Sequence, residues 1–559
     1  MLKRYLKDKI PRQVGLFFKK HIGLLVLLIT FILIDALFQI AIAEYLRRVA
    51  DSIAFKDLKV LKRTVMEGIL IYAVSFGVLF GKYVLSKYAA GLLALESRLQ
   101  MTNHMNHLPL ISFEAYQAGN LHAIIFEDIN EGSDIVNILF NNFFGNLMIA
   151  LFAFTYLFRL EYRLAVVVLA TSIAMIGINN FFVKKIRKTS FDAREKSGHF
   201  EDFIVNSFDN HVLIQTYNLR PFYEKRFDLI RKHWFDSDLK SSYLSNLHNA
   251  VLFYINTVLL FMSTLFLGNI AINGAITLGA IMVFTNLIAR VCIPLKDAFT
   301  SRERMQHVLA GWDRVGSLIE GYKPHKEEKT TENKKRPDVE VVEYSGMTFS
   351  YQGGSDIFRN TYLKLEKGRL YGLLGESGIG KSTLIKILLG LYEADGMEIK
   401  INSNTVTNKE LAEYVSFVPS IPGLLNRSIR ENLCFGGGEG SFEECLNYSR
   451  QLGLHDFVDK LPGGYDTLVA EGGCNLSGGQ MQMIAIIRAI AAGAPIIIMD
   501  EPFSNLDKDA EEKLNRILSS IKADKIILFA SHRLSTFAAC DQTFTIGDGY
   551  ISDMAKTPA

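Results

Sequence analysis

The chain has 559 residues, too many for one hydrophobic core, so several domains are expected. Apolar residues make up 49% of it, and the long apolar runs are concentrated in the first half. A net charge of +3 is too small to indicate a nucleic-acid partner. The five cysteines show no metal-ligand spacing and are typical of reduced thiols in a cytosolic domain.

Six apolar segments of the first half are long enough to cross a bilayer as helices. A basic stretch precedes the first of them and no small-residue cleavage pattern follows it, so this segment should stay in the membrane with its basic end in the cytoplasm. Charged, helix-like connections after the second and fourth segments predict long helical extensions on the cytoplasmic side. The predicted spans are residues 22–43, 64–85, 136–158, 162–183, 248–271 and 276–298.

These spans predict an all-α transmembrane domain over residues 1–320. A charged linker over residues 321–338 is expected to be a solvated tether. Strand-like and helix-like segments alternate in the remainder, which predicts an α/β nucleotide-binding domain over residues 339–559.

A glycine-rich segment in that remainder lies between a strand-like segment and a helix-like one. This context favours a phosphate-binding P-loop, because consecutive backbone N–H groups and a helix N-terminus then point at one anion. Lys381 should reach the β- and γ-phosphates, and the Ser382 hydroxyl should bind Mg²⁺. The predicted nucleoside triphosphate site comprises Gly375, Glu376, Ser377, Gly378, Gly380, Lys381, Ser382 and Thr383.

Two carboxylates follow another buried-strand pattern, Ile496 to Met499. Asp500 is placed to hold Mg²⁺ through water, and Glu501 to polarise the water that attacks the γ-phosphate. His532 follows a further apolar strand and could contact the γ-phosphate, although a surface position is the simpler interpretation of a lone histidine.

With Leu476-Ser-Gly-Gly-Gln480 and Ser504-Asn-Leu-Asp507, these motifs make the chain resemble an exporter-type ATP-binding cassette (ABC) half-transporter over nearly its whole length. The resemblance implies ATP hydrolysis, with Tyr351 stacked on adenine and with Glu501 and His532 in catalytic roles. It also implies coupling helices around residues 108–118 and 207–217, and head-to-tail pairing of two chains. The second chain would then complete each ATP site with Ser477, Gly478, Gly479, Gln480 and Asp507.

Ser420 departs from the family pattern, because the family normally has glutamine at this position, where it reaches Mg²⁺ and the attacking water. A serine hydroxyl can contact Mg²⁺, but the side chain is about two bonds shorter, so a bridging water is an alternative. Two interpretations stay open: a tolerated substitution, and a slow or tightly regulated ATPase.

Polar residues inside the predicted spans are candidates for a substrate cavity. The alternatives are hydrogen bonding between helices and, for Arg290, a side chain that extends to the membrane surface. A third alternative is a neutralised charge pair of Asp35 and Arg290. The candidates are Asp35, Gln39, Asn142, Asn146 and Arg290.

The sequence as a whole indicates ATP-driven efflux of a peptide, lipid or amphipathic small molecule across the plasma membrane by alternating access. A homodimer is favoured over a heterodimer, with the nucleotide-binding domain in the cytoplasm and with ATP and Mg²⁺ as cofactors. The alternatives are an exporter-fold importer of a metal chelate and a slowly hydrolysing gating subunit of a heterodimer.

Overall fold

The computed structural model describes residues 11–115, 118–273, 276–320, 338–351, 354–376, 378–435 and 441–553. Within these ranges the chain forms two compact units. The first takes the described residues of 1–107 and 117–324, and the second takes those of 108–116 and 325–559. Most of the predicted linker, residues 321–337, lies outside the described residues.

The first unit is helical. Within the described ranges, six helices are long and apolar enough to cross a membrane, the third of them formed by consecutive helical segments over Asn120–Leu160. Several run far past a bilayer's thickness, since about 20 residues suffice for one crossing. The helices are α1 Arg12–Lys20, α2 Ile22–Ala54, α3 Leu58–Met105, α5 Ala118–His122, α6 Ile129–Ser133, α7 Asn146–Leu160, α8 Tyr162–Asp209, α9 His211–Thr216, α10 Arg220–Ile272 and α11 Leu278–Glu320, with α4 given below.

Large apolar side chains cover the outside of this unit as well as its interior. Phe76, Phe253 and Leu265 are each more than 60% exposed, although they lie on the apolar stretches of α3 and α10. A water-soluble bundle would bury such side chains, whereas a lipid-facing helix exposes them. The distribution therefore fits helices whose outer faces contact lipid.

The third span departs from a regular α-helix. Residues Ala123–Asp128 and Asn137–Gly145 are π-helical, and α7 continues from the second of these segments. A π-helical turn holds one residue more than an α-turn, so it displaces the side chains that follow around the helix axis. Apolar periodicity alone does not predict this change.

The second unit contains two sheets. A six-stranded sheet has the order β10-β9-β3-β8-β7-β6, parallel except for β10, and an antiparallel sheet has the order β2-β1-β4-β5. The neighbouring strands β7 and β8, both inside the sheet, are buried along their whole length. The strands are β1 Val341–Ser350, β2 Asp356–Glu366, β3 Leu370–Leu374, β4 Glu398–Ile401, β5 Asn404–Val406, β6 Val415–Val418, β7 Ile496–Asp500, β8 Ile526–Ser531, β9 Gln542–Gly547 and β10 Tyr550–Asp553.

Helices pack on one face of the parallel sheet, and a helix together with the antiparallel sheet packs on the other, as expected when parallel strands are joined by crossovers. The short helix α4, Leu110–Ala115, belongs to this unit, although it lies in sequence between the second and third spans. The other helices are α12 Lys381–Leu388, α13 Asn408–Leu411, α14 Ile429–Leu433, α15 Ser441–Leu452, α16 His455–Val458, α17 Gly478–Ala491 and α18 Lys508–Ile521. The predicted fold class, a six-helix transmembrane domain followed by an α/β P-loop domain, is confirmed.

Candidate functional site

The glycine-rich segment forms the turn between β3 and α12. Gly380 immediately precedes α12 with a φ of 109°, in the left-handed region that favours glycine. A Cβ at this position would lie 2.8 Å from Cγ2 of Ile357, so the turn also requires a residue without a side chain here. Gly375, Glu376 and Gly378 lie in the same turn, whereas Ser377 lies outside the described residues. The turn presents the N-terminus of α12 to an anion.

The Lys381 side chain folds back over this turn. Its Nζ donates hydrogen bonds to the carbonyl oxygens of Gly375 and, at 3.1 Å, Glu376. Lys381 is 7% exposed, so its charge is held at the turn instead of projecting into solvent. The ammonium group is therefore in place to exchange carbonyl partners for phosphate oxygens.

Asp500 ends β7 next to the start of α12. The Ser382 hydroxyl donates to Oδ2 of Asp500 at 3.1 Å. Burial raises the pKa of Asp500, and the charge of Glu501 adds to this effect, while the Ser382 hydrogen bond and Lys381 oppose it. A buried carboxylate with a raised pKa gains from a cationic partner.

These two side chains fit a magnesium ion. The hydroxyl of Ser382 and the carboxylate of Asp500 lie 3.1 Å apart, and oxygen atoms of these kinds are the ones that Mg²⁺ prefers, held directly or through water. No cluster of three or more His, Cys, Asp or Glu side chains among the described residues could hold a metal ion. Mg²⁺ needs no such cluster when substrate phosphates and waters supply the other ligands.

Glu501 and His532 meet at the same edge of the sheet. Nδ1 of His532 lies 3.0 Å from Oε1 of Glu501, where a ring N–H can donate to the carboxylate. Glu501 has a φ of 47°, an uncommon backbone conformation for a non-glycine residue and one found preferentially at functional sites. Because β7 and β8 are parallel neighbours, their carboxyl ends bring these two residues together.

Tyr351 lies beside the phosphate-binding turn. Its hydroxyl is 3.1 Å from Oγ1 of Thr383 on α12, and its side chain is partly exposed. An aromatic ring with an open face next to a phosphate-binding turn is a suitable platform for a nucleobase.

The signature segment caps α17. The Ser477 hydroxyl accepts a hydrogen bond from the backbone N–H of Gln480 at 3.3 Å, and the Gln480 side chain accepts one from the Ser477 N–H at 2.8 Å. This reciprocal capping box satisfies two N–H groups of the helix terminus. A Cβ at Gly479 would lie 2.7 Å from the carbonyl oxygen of Asn505, so glycine permits this close approach. A Cβ at Gly478 would lie 3.6 Å from Cγ of the same Asn505, an ordinary contact distance.

Two further predicted site residues lie outside this cluster of contacts. The Asp507 carboxylate caps α18 by accepting a hydrogen bond from the N–H of Ala510 at 2.8 Å. Ser420 lies two residues beyond β6 and is partly buried. Contact of either residue with nucleotide stays a prediction.

Three of the polar candidates of the spans have side-chain partners, and that of Asp35 includes a residue of another helix. Asp35 is 2% exposed and forms an ion pair with Lys82 of α3, and it also accepts a hydrogen bond from Gln39 at 3.3 Å. Arg290 donates instead to Asn286 on its own helix, at 3.0 Å. The ion pair at Asp35 is therefore made with Lys82, which sequence reasoning did not single out.

Asparagines of the third span form a second polar group. Ser86 donates to Asn137 at 2.6 Å, and Asn141 donates to both Ser86 and Asn137 at 2.8 Å. Asn142 and Asn146, the predicted candidates, are partly buried, the first within the π-helical segment and the second at the start of α7. Since the segment is π-helical over Asn137–Gly145, the partners of these residues could not be read from an α-helical spacing.

Sequence reasoning also missed Glu114, Lys386 and Tyr392, which form one hydrogen-bonded group in the second unit. The sequence does show that Lys386 lies on the same predicted helix as Lys381. Nothing in the sequence, however, pairs Glu114 with Lys386 or with Tyr392.

Comparisons with known proteins agree with this architecture. A family model described as "ABC transporter transmembrane region" matches residues 25–294, and one described as "ABC transporter" matches residues 358–504. The "Probable ABC transporter ATP-binding/permease protein" of Haemophilus influenzae is 28% identical over 500 residues, which is 87% of this chain and 89% of the relative. The "ATP-dependent lipid A-core flippase" of Vibrio cholerae is 25% identical over 495 residues, covering 85% and 82%.

A solved structure has a similar fold. The structure of a bacterial Atm1-family ABC exporter with ATP bound superimposes with a TM-score of 0.74 at 21% identity, over 95% of this chain and 94% of that one. At this identity the likeness concerns the fold alone.

Proposed function

We propose that the chain exports an amphipathic substrate as a homodimer. The chain belongs to the ABC transporter family, as a membrane-embedded half-transporter of the exporter type that couples ATP hydrolysis to transport. The substrate would be a peptide, a lipid or an amphipathic small molecule. Relatives that carry the names of a lipid flippase and of multidrug exporters support this class. The proposed location is the plasma membrane, with the second unit in the cytoplasm where ATP is available.

The ATP site of the proposal is built from the contacts at the sheet edge. Lys381 and the turn before α12 hold the phosphates, Tyr351 receives the adenine, and Ser382 and Asp500 hold Mg²⁺. Bound Mg²⁺ would neutralise charge on the phosphate oxygens. Glu501 accepts a proton from a water whose oxygen attacks the γ-phosphorus, while the bond to the β-phosphate oxygen breaks and ADP leaves. His532 orients Glu501 through the 3.0 Å contact.

A second copy of the chain completes each site in this proposal. Its signature segment would face the nucleotide with Ser477, Gly478, Gly479 and Gln480, and Asp507 would approach from the same copy. The capping box supports this role, because it orders the N-terminus of α17, and Gly478 and Gly479 there carry no side chain that would stand before a ligand. No residue of α9 is buried, and Val212 on this helix is 77% exposed, which supports its docking on a second copy.

Steady-state ATP hydrolysis by the purified protein in lipid tests this proposal. Wild type and Glu501→Gln are compared with peptides, lipids and amphipathic drugs added one class at a time. We expect hydrolysis that one ligand class stimulates, and a loss of about 10²-fold or more in Glu501→Gln, since a positioned general base contributes about that factor. The exposed Glu512→Gln is the matched control.

The gating subunit is the second candidate, favoured by Ser420 in place of glutamine. Nucleotide binding without Glu501-dependent hydrolysis, under every ligand, would support gating or a missing partner chain and would overturn the self-sufficient exporter.

A further inference from the structure

The short helix α4 packs on the second unit through apolar and charged contacts. Leu110 and Ile111 pack against its hydrophobic core. The Glu114 carboxylate accepts hydrogen bonds from Nζ of Lys386 at 2.9 and 3.1 Å, and from the Tyr392 hydroxyl at 2.5 Å. Residues 106–109 are all that separate α4 in sequence from α3, the second membrane-crossing helix. The helix α4 is therefore part of the ATP-binding unit, although it follows α3 closely in sequence.

Both partners of Glu114 are tied to the phosphate-binding turn. Lys386 lies on α12, the helix that begins at Lys381, and its Nζ is 3.3 Å from the Tyr392 hydroxyl and 5.1 Å from the centre of that ring. Burial alone would raise the pKa of Glu114, but the hydrogen bonds from Tyr392 and Lys386 outweigh it and lower the pKa. Glu114 is thus an ionised acceptor of charge-assisted hydrogen bonds, which are about twice as strong as neutral ones.

Tyr392 carries this contact on to Tyr351. The Tyr392 ring is buried, stacked on Phe349 with a centroid distance of 5.4 Å and set edge-on to Tyr351 at 6.1 Å. Phe349 packs edge-on to Tyr351 at 5.2 Å, and the Tyr351 hydroxyl meets Thr383. Tyr351 is 39% exposed, so its ring is held from behind while part of it stays open. An unbroken series of contacts therefore joins Glu114 to the open aromatic ring beside the phosphate-binding turn.

We infer that Glu114 and Tyr392 are positioning residues for the nucleobase: they fix the Tyr351 ring on which a purine stacks. The inference rests on the proposed function in that Tyr351 receives the base. A ring already fixed in its stacking orientation costs no ordering when the base binds.

Equilibrium binding by the full-length protein in lipid tests this inference, with ATP as the base-containing probe and inorganic tripolyphosphate as the probe without a base. The variants are Glu114→Gln, Tyr392→Phe, Tyr351→Ala and the double variant Glu114→Gln/Tyr351→Ala. Glu398→Gln is the matched control, because the Glu398 carboxylate also has a lysine partner, Lys400 at 3.0 Å, and a hydroxyl partner, Thr405 at 3.0 Å.

We expect Tyr351→Ala to weaken ATP binding about tenfold, the scale of one aromatic–base stack. Glu114→Gln and Tyr392→Phe should each weaken it about threefold, since they loosen the platform without removing it. Tripolyphosphate binding should be unchanged in all variants, and the double variant should bind ATP no more weakly than Tyr351→Ala. Glu398→Gln should match wild type with both probes.

An additive double variant, an equal loss with tripolyphosphate, or no loss of ATP binding in Glu114→Gln and Tyr392→Phe would overturn the inference. If Glu114→Gln lowers the melting temperature without nucleotide, the ATP affinity of Tyr392→Phe decides whether the inference holds. This variant keeps the packed ring and removes only the hydroxyl. If Tyr351→Ala leaves ATP affinity unchanged, the base site of the proposed function fails, and the inference fails with it. If Tyr351→Ala weakens ATP binding but Glu114→Gln acts independently of it, the inference fails alone.

Discussion

The two units of the chain hold their polar side chains in different ways. In the second unit, backbone geometry at the ends of parallel strands aims Lys381, Asp500 and Glu501 at one edge of a sheet, next to turns with positive φ at Gly380 and Glu501. In the first unit, polar side chains such as Asp35 and Lys82 are aimed at each other across helices. Loss of a partner should therefore cost stability in the membrane unit and ligand binding in the ATP unit.

The ion pair in the membrane unit offers the largest expected effect. Lys82→Met leaves the buried Asp35 carboxylate without its charge partner, which should destabilise the protein by about 3–5 kcal/mol. The double variant Asp35→Leu/Lys82→Met should recover most of this loss, because it removes both charges. Thermal unfolding in lipid measures both, with the exposed Lys62→Met of the same helix as control. A single variant as stable as wild type would show that the pair does not hold α2 to α3.

Removal of the P-loop lysine should weaken ATP binding and leave the stability of the protein nearly unchanged. Lys381→Ala loses the ammonium group that charge-assisted hydrogen bonds to phosphate require, so ATP binding should weaken about ten- to a hundredfold. The melting temperature without nucleotide should change little. Isothermal titration with ATP checks this against the exposed Lys409→Ala. Unchanged affinity in Lys381→Ala would contradict the assignment of the phosphate site.

The acid limb of the pH profile, where ATP hydrolysis is lost as the pH falls, should reflect the protonation of Asp500. Burial raises its pKa, so the ionised form that can hold Mg²⁺ is fully present only above that raised value and is lost as the pH falls through it. Activity should therefore begin to fall at a higher pH than for an exposed aspartate, whose pKa is about 3.9. Higher Mg²⁺ concentrations should shift the limb to lower pH, because metal and proton compete. If the acid limb does not move with the Mg²⁺ concentration, it reflects the protonation of another group.

Ser420→Gln should have the smallest effect. It restores the longer side chain that the family normally has at this position, so hydrolysis should stay level or rise about threefold through a more direct contact with metal or water. Phosphate release in lipid is the measurement. A collapse of activity would mean that the site has adapted to serine, and the tolerated-substitution interpretation would be wrong.

The same comparison explains which features could be predicted from sequence. Strand–turn–helix order and glycine spacing specify local backbone geometry, so the turn before α12 and the position of Asp500 followed from short motifs, and the fold class followed from these together with the long apolar segments. The Asp35–Lys82 pair joins residues 47 positions apart on different helices, and apolar periodicity does not specify which faces meet. The π-helical segments of the third span also move its asparagines away from the positions that a regular α-helix would give them. Glu114 and Tyr392 are 278 positions apart, and only the docking of α4 brings them together.

ATP-dependent accumulation of the ligand class that stimulates hydrolysis, measured in sealed inside-out membrane vesicles, tests the central claim most directly. An ATP-driven exporter predicts that wild type with ATP concentrates this ligand inside the vesicles, whereas Glu501→Gln with ATP and wild type without ATP do not. Stimulated hydrolysis with equal ligand levels in all three, or accumulation only in right-side-out vesicles loaded with ATP, would contradict export.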